Sequence, residues 1–170
     1  AAASRRPALL GAGAYTSSAA GPRAGAAATM APMSTLRWTP SVTVAAVIES
    51  DGRYLLVEEH TPEGLRLNNP AGHLEPGESP QQAVVREALE ETARIFTPES
   101  LIGVYLARLQ RPAREGRPPE DVTYLRFAYG GRAGEALPGQ ELDTGIVRTL
   151  WLTLAELRAS VDRHRSPLVL

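Results

Sequence analysis

Cysteine is missing from all 170 residues of the sequence, which excludes disulfide bonds, thiolate zinc ligands and a cysteine nucleophile. The three histidines, His60, His73 and His164, lack the spacing that is typical of a zinc site. A metal centre in this chain would therefore use the oxygen atoms of Asp and Glu side chains. Such ligands are typical of Mg²⁺, with Mn²⁺ as a possible substitute.

Long apolar runs and an excess of charge are missing as well. No apolar run approaches the roughly 18 residues of a membrane span. The formal net charge is −1, so charge gives no reason to expect binding to nucleic acid or to an anionic membrane. With 43% hydrophobic and 22% charged residues, the composition is typical of a globular chain with one core. We expect a cytoplasmic protein that is a monomer or a small homo-oligomer.

Residues 1–36 differ in composition from the rest. They are rich in Ala, Gly, Ser and Pro, contain arginines but no acid, and show no sustained periodicity, so we expect disorder here and a domain over 37–170. An organelle transit peptide is one alternative, although glycines and prolines interrupt any amphipathic helix. We favour translation from a start upstream of the true one, at Met30 or Met33. Because the sequence begins with Ala1, we also expect a fragment.

Three carboxylates occupy one face of a predicted helix within residues 72–94, GHLEPGESPQQAVVREALEETAR. Glu87, Glu90 and Glu91 recur at i, i+3 and i+4, so they fall within roughly 100° of the helix circumference. Like charges one turn apart destabilise a helix, and only Arg86 and Arg94 lie near enough in sequence to offset them. Two interpretations follow: a solvated acidic stripe on a surface helix, or ligands for a divalent cation.

The start of this helix is well specified. Ser79 is a good N-cap, Pro80 suits the first helical position, and Gln82 completes a capping box. The arc opposite the acids is apolar, so we expect the acids to face a cleft or solvent. The residues of this apolar arc are Val84, Val85, Ala88, Leu89, Thr92, Ile95 and Phe96.

The spacing of these residues resembles the signature of the Nudix hydrolase superfamily, GX5EX7REUXEEXGU, in which U is aliphatic. The matching residues are Gly72, Glu78, Arg86, Glu87, Glu90 and Glu91. Two positions depart, because Ala93 replaces the last glycine and Arg94 replaces the closing aliphatic residue. Ala93 matters if its backbone requires a positive φ.

Further segments look like the NudJ-type phosphatase branch of the superfamily. They are VTVAAV at 42–47, LLVEE at 55–59, NPAGHLE at 69–75, TYLRF at 123–127 and RSPLV at 165–169. The resemblance implies hydrolysis of phosphoanhydride bonds in nucleoside di- and triphosphates or in the pyrophosphate ester of the thiamine pyrimidine. The alternative is a Nudix-fold module that binds nucleotides without catalysis. The two departures from the signature leave this alternative open, whereas the intact acids favour the enzyme.

Roles for the signature residues also come from the resemblance. It implies that Glu87 and Glu91 are the principal Mg²⁺ ligands and that Glu90 is a third ligand or the general base. Arg86 and Glu78 would orient these acids, with a surface salt bridge as the plainer alternative. Gly72 is expected to let the backbone approach a phosphate, although a loop glycine often means only a turn.

Other candidates are weaker. Glu141 and Asp143 are candidates for a remote acid, against ordinary loop charges. His73 is expected to be a structural turn residue. Arginines near the loop at 111–120 are candidates for phosphate binding but are commonly just solvated, and four aromatic residues are candidates for stacking but are commonly core. These arginines are Arg108, Arg111, Arg114 and Arg117, and the aromatic residues are Tyr54, Tyr105, Tyr124 and Phe127.

The coarse pattern predicts a mixed α/β layered domain. Strands are expected at 42–48 and 53–58 around a hairpin turn at Asp51 and Gly52, then at 70–75, 101–109, 122–129 and before 152. A second helix is expected at 154–161 with Thr153 as its cap. The resemblance sharpens this to the Nudix α/β/α sandwich, with a mixed sheet and a catalytic loop, helix and loop.

Overall fold

The structure, a computed structural model, describes residues 37–113, 116 and 118–170. The predicted disorder of residues 1–36 and the phosphate contacts of Arg114 and Arg117 lie outside the described residues. The strands are β1 (Ser41–Ser50), β2 (Arg53–Thr61), β3 (Gly64–Asn68), β4 (Ala71–His73), β5 (Arg94–Arg111), β6 (Glu120–Ala136) and β7 (Ile146–Thr153). The helices are α1 (Pro80–Thr92) and α2 (Leu154–Ala159), followed by short 3-10 turns at Val161–Arg163 and Pro167–Val169. Neither α-helix of the described part is long and apolar enough to cross a membrane.

The sheet is mixed, as predicted. Strand β1 runs parallel to β6 and antiparallel to β4, and β5 pairs antiparallel with β6. Strands β3 and β7 flank β2 on the other side of the β1–β2 hairpin. Asp51 and Gly52 at the hairpin both have positive φ, 50° and 74°, which suits a two-residue turn between twisted strands. The predicted hairpin is confirmed.

Helices cover opposite faces of the strands. Leu55 packs in the cluster that contains Ala83, Val84 and Ala88 of α1. Its neighbour Leu56 packs with Leu157 of α2. Because successive side chains of a strand point to opposite faces, α1 and α2 lie on opposite sides of β2. The arrangement is an α/β/α sandwich, and this confirms the predicted fold class.

Helix α1 has the predicted start. The Ser79 hydroxyl accepts from the Gln82 N–H at 3.2 Å, and the Gln82 side chain accepts from the Ser79 N–H at 2.8 Å, which is a capping box. The helix ends at Ala93, whose φ of 56° lies in the left-handed region. Position 93 therefore has the backbone conformation that favours glycine, although an alanine occupies it.

Several boundaries differ from those predicted. Ile95 was expected on the core arc of α1, but the left-handed Ala93 ends the helix, and Ile95 belongs to β5 with 56% of its surface exposed. Strand β3 was missed, and β5 and β6 are 18 and 17 residues long because they pair along nearly their whole length. Helix α2 has the predicted Thr153 cap but ends at Ala159.

Candidate active site

Arg86, in the middle of α1, is the centre of a hydrogen-bonded network. Its Nε and Nη2 donate to the two oxygens of Glu78 at 3.1 and 2.7 Å, a bidentate pair. Nη1 donates to Glu87 at 2.7 Å and to Glu90 at 3.0 Å, and Nη2 also reaches the carbonyl of His73 at 3.0 Å. This pairing lowers the pKa of the Glu78 carboxyl. The predicted orienting contacts of Arg86 are thus present in the geometry.

Glu87 lies between Arg86 and strand β4. The residue is 9% exposed, and its carboxylate occupies the space in which a β-carbon at Gly72 would stand. Burial raises the pKa of Glu87 even though Arg86 opposes that shift. Burial is therefore the larger effect, since one guanidinium shared among three acids does not fully offset it.

Glu91 is held by the backbone of β4. The Ala71 N–H donates to Glu91 Oε2 at 2.8 Å, and the residue is 9% exposed. The pKa of Glu91 is raised to about 8: burial is the largest cause, the charges of Glu87, Glu59 and Asp143 add to it, and the hydrogen bond from Ala71 opposes it. The end of α1 thus concentrates negative charge in a poorly solvated place.

Glu90 faces a cavity beside the loop that precedes β7. This side chain is 44% exposed and lines a cavity of about 260 Å³ together with Glu141 and Asp143. The Asp143 N–H donates to the Glu90 carbonyl at 2.8 Å, which fixes the loop against the helix. The structure therefore brings both candidate remote acids to the acidic end of α1, about 50 residues away in sequence.

The acids were expected to face a cleft or solvent; none of them belongs to the core cluster of α1, but only Glu90 is open to solvent. Glu87 and Glu91 are buried, because the segment around Ala71 and Gly72 covers them, whereas Glu90 is open. Arg94 also does not offset the acids: it donates to the Gly134 carbonyl at 2.8 Å and its guanidinium lies 5.7 Å from the centre of the Trp151 ring. Arg94 is close to the acids in sequence, but it lies beyond the end of α1 and begins β5.

The three helix carboxylates are the candidate ligands of a divalent cation. Within the described residues, no group of three or more His, Asp or Glu side chains is close enough together to hold a metal ion as the side chains stand. Each of Glu87, Glu90 and Glu91 nevertheless uses only one oxygen in hydrogen bonds to described residues. Carboxylate oxygens are suitable ligands for a hard cation, and the second oxygen of each of these side chains accepts no hydrogen bond from the described residues.

Two charged residues near the site were missed by the sequence reasoning. Glu59 on β2 acts on Glu91, and its Oε1 is buried with no hydrogen-bond partner in the described part of the chain. Arg126 on β6 has a buried Nη1 that likewise has no partner among the described residues. Both residues lie in segments that the sequence reasoning had noted, LLVEE and TYLRF, but nothing in their spacing links them to α1.

The remaining candidates lie away from the carboxylates of α1 or contact their partner Arg86 only through the backbone. Arg108 and Arg111 form exposed pairs with Asp121 and Glu120 at 2.6 and 2.9 Å, which agrees with the solvated alternative. Tyr54 and Tyr105 line a second cavity, of about 310 Å³. His73 offers its backbone carbonyl to Arg86, while its ring lies 6.3 Å from that of Tyr124. Phe127 packs against the core cluster of α1.

The comparison with known proteins decides the family. The family model described as NUDIX domain matches residues 37–169. The chain belongs to the NUDIX domain family. This confirms the resemblance seen in the sequence and identifies the protein as a Nudix hydrolase by family.

Relatives of this Nudix protein are similar over most of their length. Phosphatase NudJ of Escherichia coli strain K12 is 32% identical over 130 residues, which are 76% of this chain and 78% of that protein. A NUDIX hydrolase structure from Nitrosomonas europaea is 50% identical with a TM-score of 0.65, covering 77% of this chain and 84% of that one. The MutT protein of Methanosarcina mazei Go1 is 20% identical with a TM-score of 0.50 over 71% and 82% of the two chains, which shows the fold alone.

Proposed function

We propose that this Nudix protein hydrolyses phosphoanhydride bonds of nucleoside di- or triphosphates, or of related small pyrophosphates, with Mg²⁺ as the cofactor. The observation that carries the proposal is the burial of Glu91 beside Glu87, which leaves negative charge that burial and like-charge repulsion both penalise. A divalent cation relieves that penalty because it supplies positive charge to carboxylate oxygens. The named phosphatase relative at 32% identity supports the same reaction class.

Glu87, Glu90 and Glu91 would hold the cation through their second oxygens. Mg²⁺ supplies charge neutralisation of the phosphate oxygens and a lowered pKa of a bound water. Arg86 fixes the carboxylates of Glu87 and Glu90 from a single guanidinium, so these two acids are oriented before substrate arrives. Glu78 in turn orients Arg86 by its bidentate pair.

The proton of the attacking water requires a base. Glu90 is the open carboxylate of the helix, and it borders the same cavity as Glu141 and Asp143. We assign the base to this cavity, either to Glu90 or to one of the two loop acids. Their common position beside an accessible space suits a group that takes up and releases a proton at each turnover.

A nucleotide-binding module without catalysis is the second candidate. One observation favours it: Arg86 pairs with two of the three helix acids, so part of their charge is already neutralised. A module of this kind would bind nucleotide without releasing phosphate. The membership of the NUDIX domain family favours the enzyme, and so does the carboxylate of Glu91, which has no arginine partner among the described residues.

Phosphate release from a panel of compounds tests the proposal. The panel contains nucleoside di- and triphosphates and the thiamine pyrimidine pyrophosphate, each measured with Mg²⁺, with Mn²⁺ and with EDTA. We expect turnover that depends on the metal, and product analysis then states whether phosphate or pyrophosphate leaves. Tight binding of a nucleotide without turnover under all three conditions would support the module instead.

A further inference from the structure

Strand β5 forms a free edge of the sheet. It pairs with β6 on one side, and its other side pairs with no strand in the described part of the chain. Residues 103–111 pair with β6 without a bulge, so this part of the strand runs regularly over about 30 Å. In such a strand, alternate N–H and C=O groups point away from the paired side. These groups are available to another strand.

The middle of β5 lacks the features that usually keep an edge strand unpaired. Such strands are commonly protected by charged side chains, proline or bulges. In β5 these features lie toward the two ends, with Pro98 and two bulges before residue 104 and with Arg108 and Arg111 at the end. The sequence between them, SLIGVYLA at 100–107, contains no charge and no proline. This stretch is therefore open to pairing.

Exposed apolar side chains are concentrated in the same stretch. Tyr105 lies over Gly103, where its ring occupies the space that a β-carbon would need, and it lines the second cavity. Val104 and Leu106 point to the opposite face, because successive side chains of a strand alternate. No other strand of the described part exposes more than one large apolar side chain, which makes this stretch a candidate interface. The exposed side chains are Leu101, Ile102, Val104, Tyr105 and Leu106, with 41% to 63% of their surface exposed.

The other edge strands are less suited to pairing. Strand β3 has five residues and also bridges to His164, and β4 has three residues. Strand β7 has eight residues, but it carries Arg148, whose side chain is 60% exposed. A short strand offers few hydrogen bonds, and a charge on an edge strand opposes pairing. Strand β5 is therefore the edge at which a further strand is expected.

The charges at the two ends of β5 indicate what that strand is. The exposed side chain of Glu99 precedes the uncharged stretch, and the exposed side chains of Arg108 and Arg111 follow it. If two copies of β5 pair antiparallel, Glu99 of each copy comes beside the arginines of the other, whereas parallel pairing places like charges together. Opposite charges on neighbouring strands stabilise a sheet and like charges destabilise it. Strand β5 is thus complementary to itself in the antiparallel direction.

We infer that β5 pairs antiparallel with β5 of a second copy of this chain and forms a homodimer around a two-fold axis near Tyr105. One sheet then continues through both copies, and the exposed apolar side chains of the stretch at 100–107 lie at the interface. Such a contact uses the same surface of both copies, as is usual for a two-fold dimer. The inference does not depend on the proposed function.

Analytical ultracentrifugation of the full 170-residue chain tests the dimer. We expect the wild type to be dimeric at protein concentrations up to about 100 μM. Leu106→Glu should raise the dissociation constant at least about tenfold, because it places a charge on each copy at an apolar contact. Val161→Glu is the control, since Val161 is 56% exposed and lies in a short turn outside the sheet, and this variant should dimerise like the wild type. A monomeric wild type overturns the inference, and so does a dimer that Leu106→Glu leaves unchanged.

Disulfide cross-linking tests the position of the two-fold axis. The chain contains no cysteine, so a single introduced cysteine can form a disulfide only between two copies. Side chains directly opposite each other in antiparallel strands are about 5 Å apart, and small movements bring them within reach of a disulfide. The variants are Val104→Cys, Tyr105→Cys and Leu106→Cys, with Val161→Cys as the control.

Under the same mild oxidant, at least one of the three β5 variants should form the linked dimer at least about tenfold faster than Val161→Cys. Equal rates in all four variants overturn the inference, because random collision then accounts for the cross-links. Thermal melting of each variant shows that it is folded.

Discussion

The backbone N–H of Ala71 donates to Oε2 of Glu91 at 2.8 Å, so strand β4 holds the last carboxylate of α1. Within the described residues, no arginine pairs with this side chain, in contrast to Glu87 and Glu90. Glu91 is therefore the helix acid whose charge most needs a cation. Substitution of Glu91 therefore tests the metal site most directly.

Glu91→Gln keeps the size of the side chain and an acceptor for Ala71 but removes the charge. We expect kcat to fall at least about a hundredfold, because an electrostatic group at the reacting centre is lost. Steady-state phosphate release at saturating Mg²⁺ measures the effect. Glu63→Gln is the control, since Glu63 is exposed and lies in the turn between β2 and β3. Near-normal turnover in Glu91→Gln would remove Glu91 from the ligand set.

The stability of the metal-free protein should depend on pH through the same residue. Burial raises the pKa of Glu91 to about 8 from the ordinary 4.5, so the folded state favours the protonated acid. The contribution of Glu91 is most favourable below about pH 4.5 and is lost as the pH rises through about 8. In EDTA, Glu91→Gln should therefore be more stable than the wild type at about pH 8, by a few kcal/mol.

Urea unfolding of both proteins at several pH values measures this difference. At about pH 8 we also expect Mg²⁺ to stabilise the wild type and to have little effect on Glu91→Gln, since a ligand stabilises the state that binds it. If the free energies of unfolding of the two proteins change with pH in the same way, the pKa of Glu91 is not raised by burial.

Ala93→Gly should stabilise the protein. Ala93 has a φ of 56°, where an alanine is strained by about 1–2 kcal/mol and a glycine is not. The glycine also loses more backbone entropy on folding, so the expected net gain is about 0.5–1 kcal/mol. Thermal melting measures it. Ala83→Gly is the matched control, because Ala83 is buried within the same helix, and we expect that change to be destabilising.

Gly72→Ala should lower the activity, because the added methyl group has no free space beside the backbone. The new β-carbon would overlap the carboxylate of Glu87, which must then move from its place beside Arg86. Measured kcat should fall by about tenfold or more, since small displacements of catalytic groups have effects of this size. Gly134→Ala is the control, because a β-carbon there meets no atom of the described residues within 4 Å. Equal activity of both variants would contradict the steric argument.

The two loop acids should differ in effect. Asp143 is bonded through its N–H to the carbonyl of Glu90 and acts on the charge of Glu91, whereas Glu141 lines the same cavity without a backbone hydrogen bond to α1 among the described residues. We therefore expect Asp143→Asn to lower kcat by about tenfold or more and Glu141→Gln to lower it less. The pH dependence of kcat in both variants identifies the residue that carries the base. If Glu141→Gln has the larger effect, Glu141 replaces Asp143 as the loop candidate for the base.

The sequence predicts the local part of this site well. Glu87, Glu90 and Glu91 lie on one helix, and the residues that start that helix, Ser79 and Gln82, are its neighbours. Such local patterns follow from helical geometry and capping chemistry, which need only a few adjacent residues.

The parts that the sequence did not predict come from contacts between distant segments. The burial of Glu91 depends on Ala71, and its raised pKa depends on Glu59 of β2 as well as on neighbouring residues. Arg126 acquires its position only because β6 pairs with β1, where it lies opposite Thr43. Pairing between strands far apart in sequence has no signature in periodicity, so tertiary structure is required to find these residues.

Position 72 requires glycine because there is no room for a side chain, and not because the backbone needs a positive φ. The residue sits in a regular strand opposite Val44, and the volume that its side chain would need is filled by Glu87. Positions 72 and 87 therefore constrain each other: a residue larger than glycine at position 72 would require a shorter side chain at position 87. Redesign of the loop between β4 and α1 for another substrate can therefore change the exposed loop residues but must keep glycine at position 72.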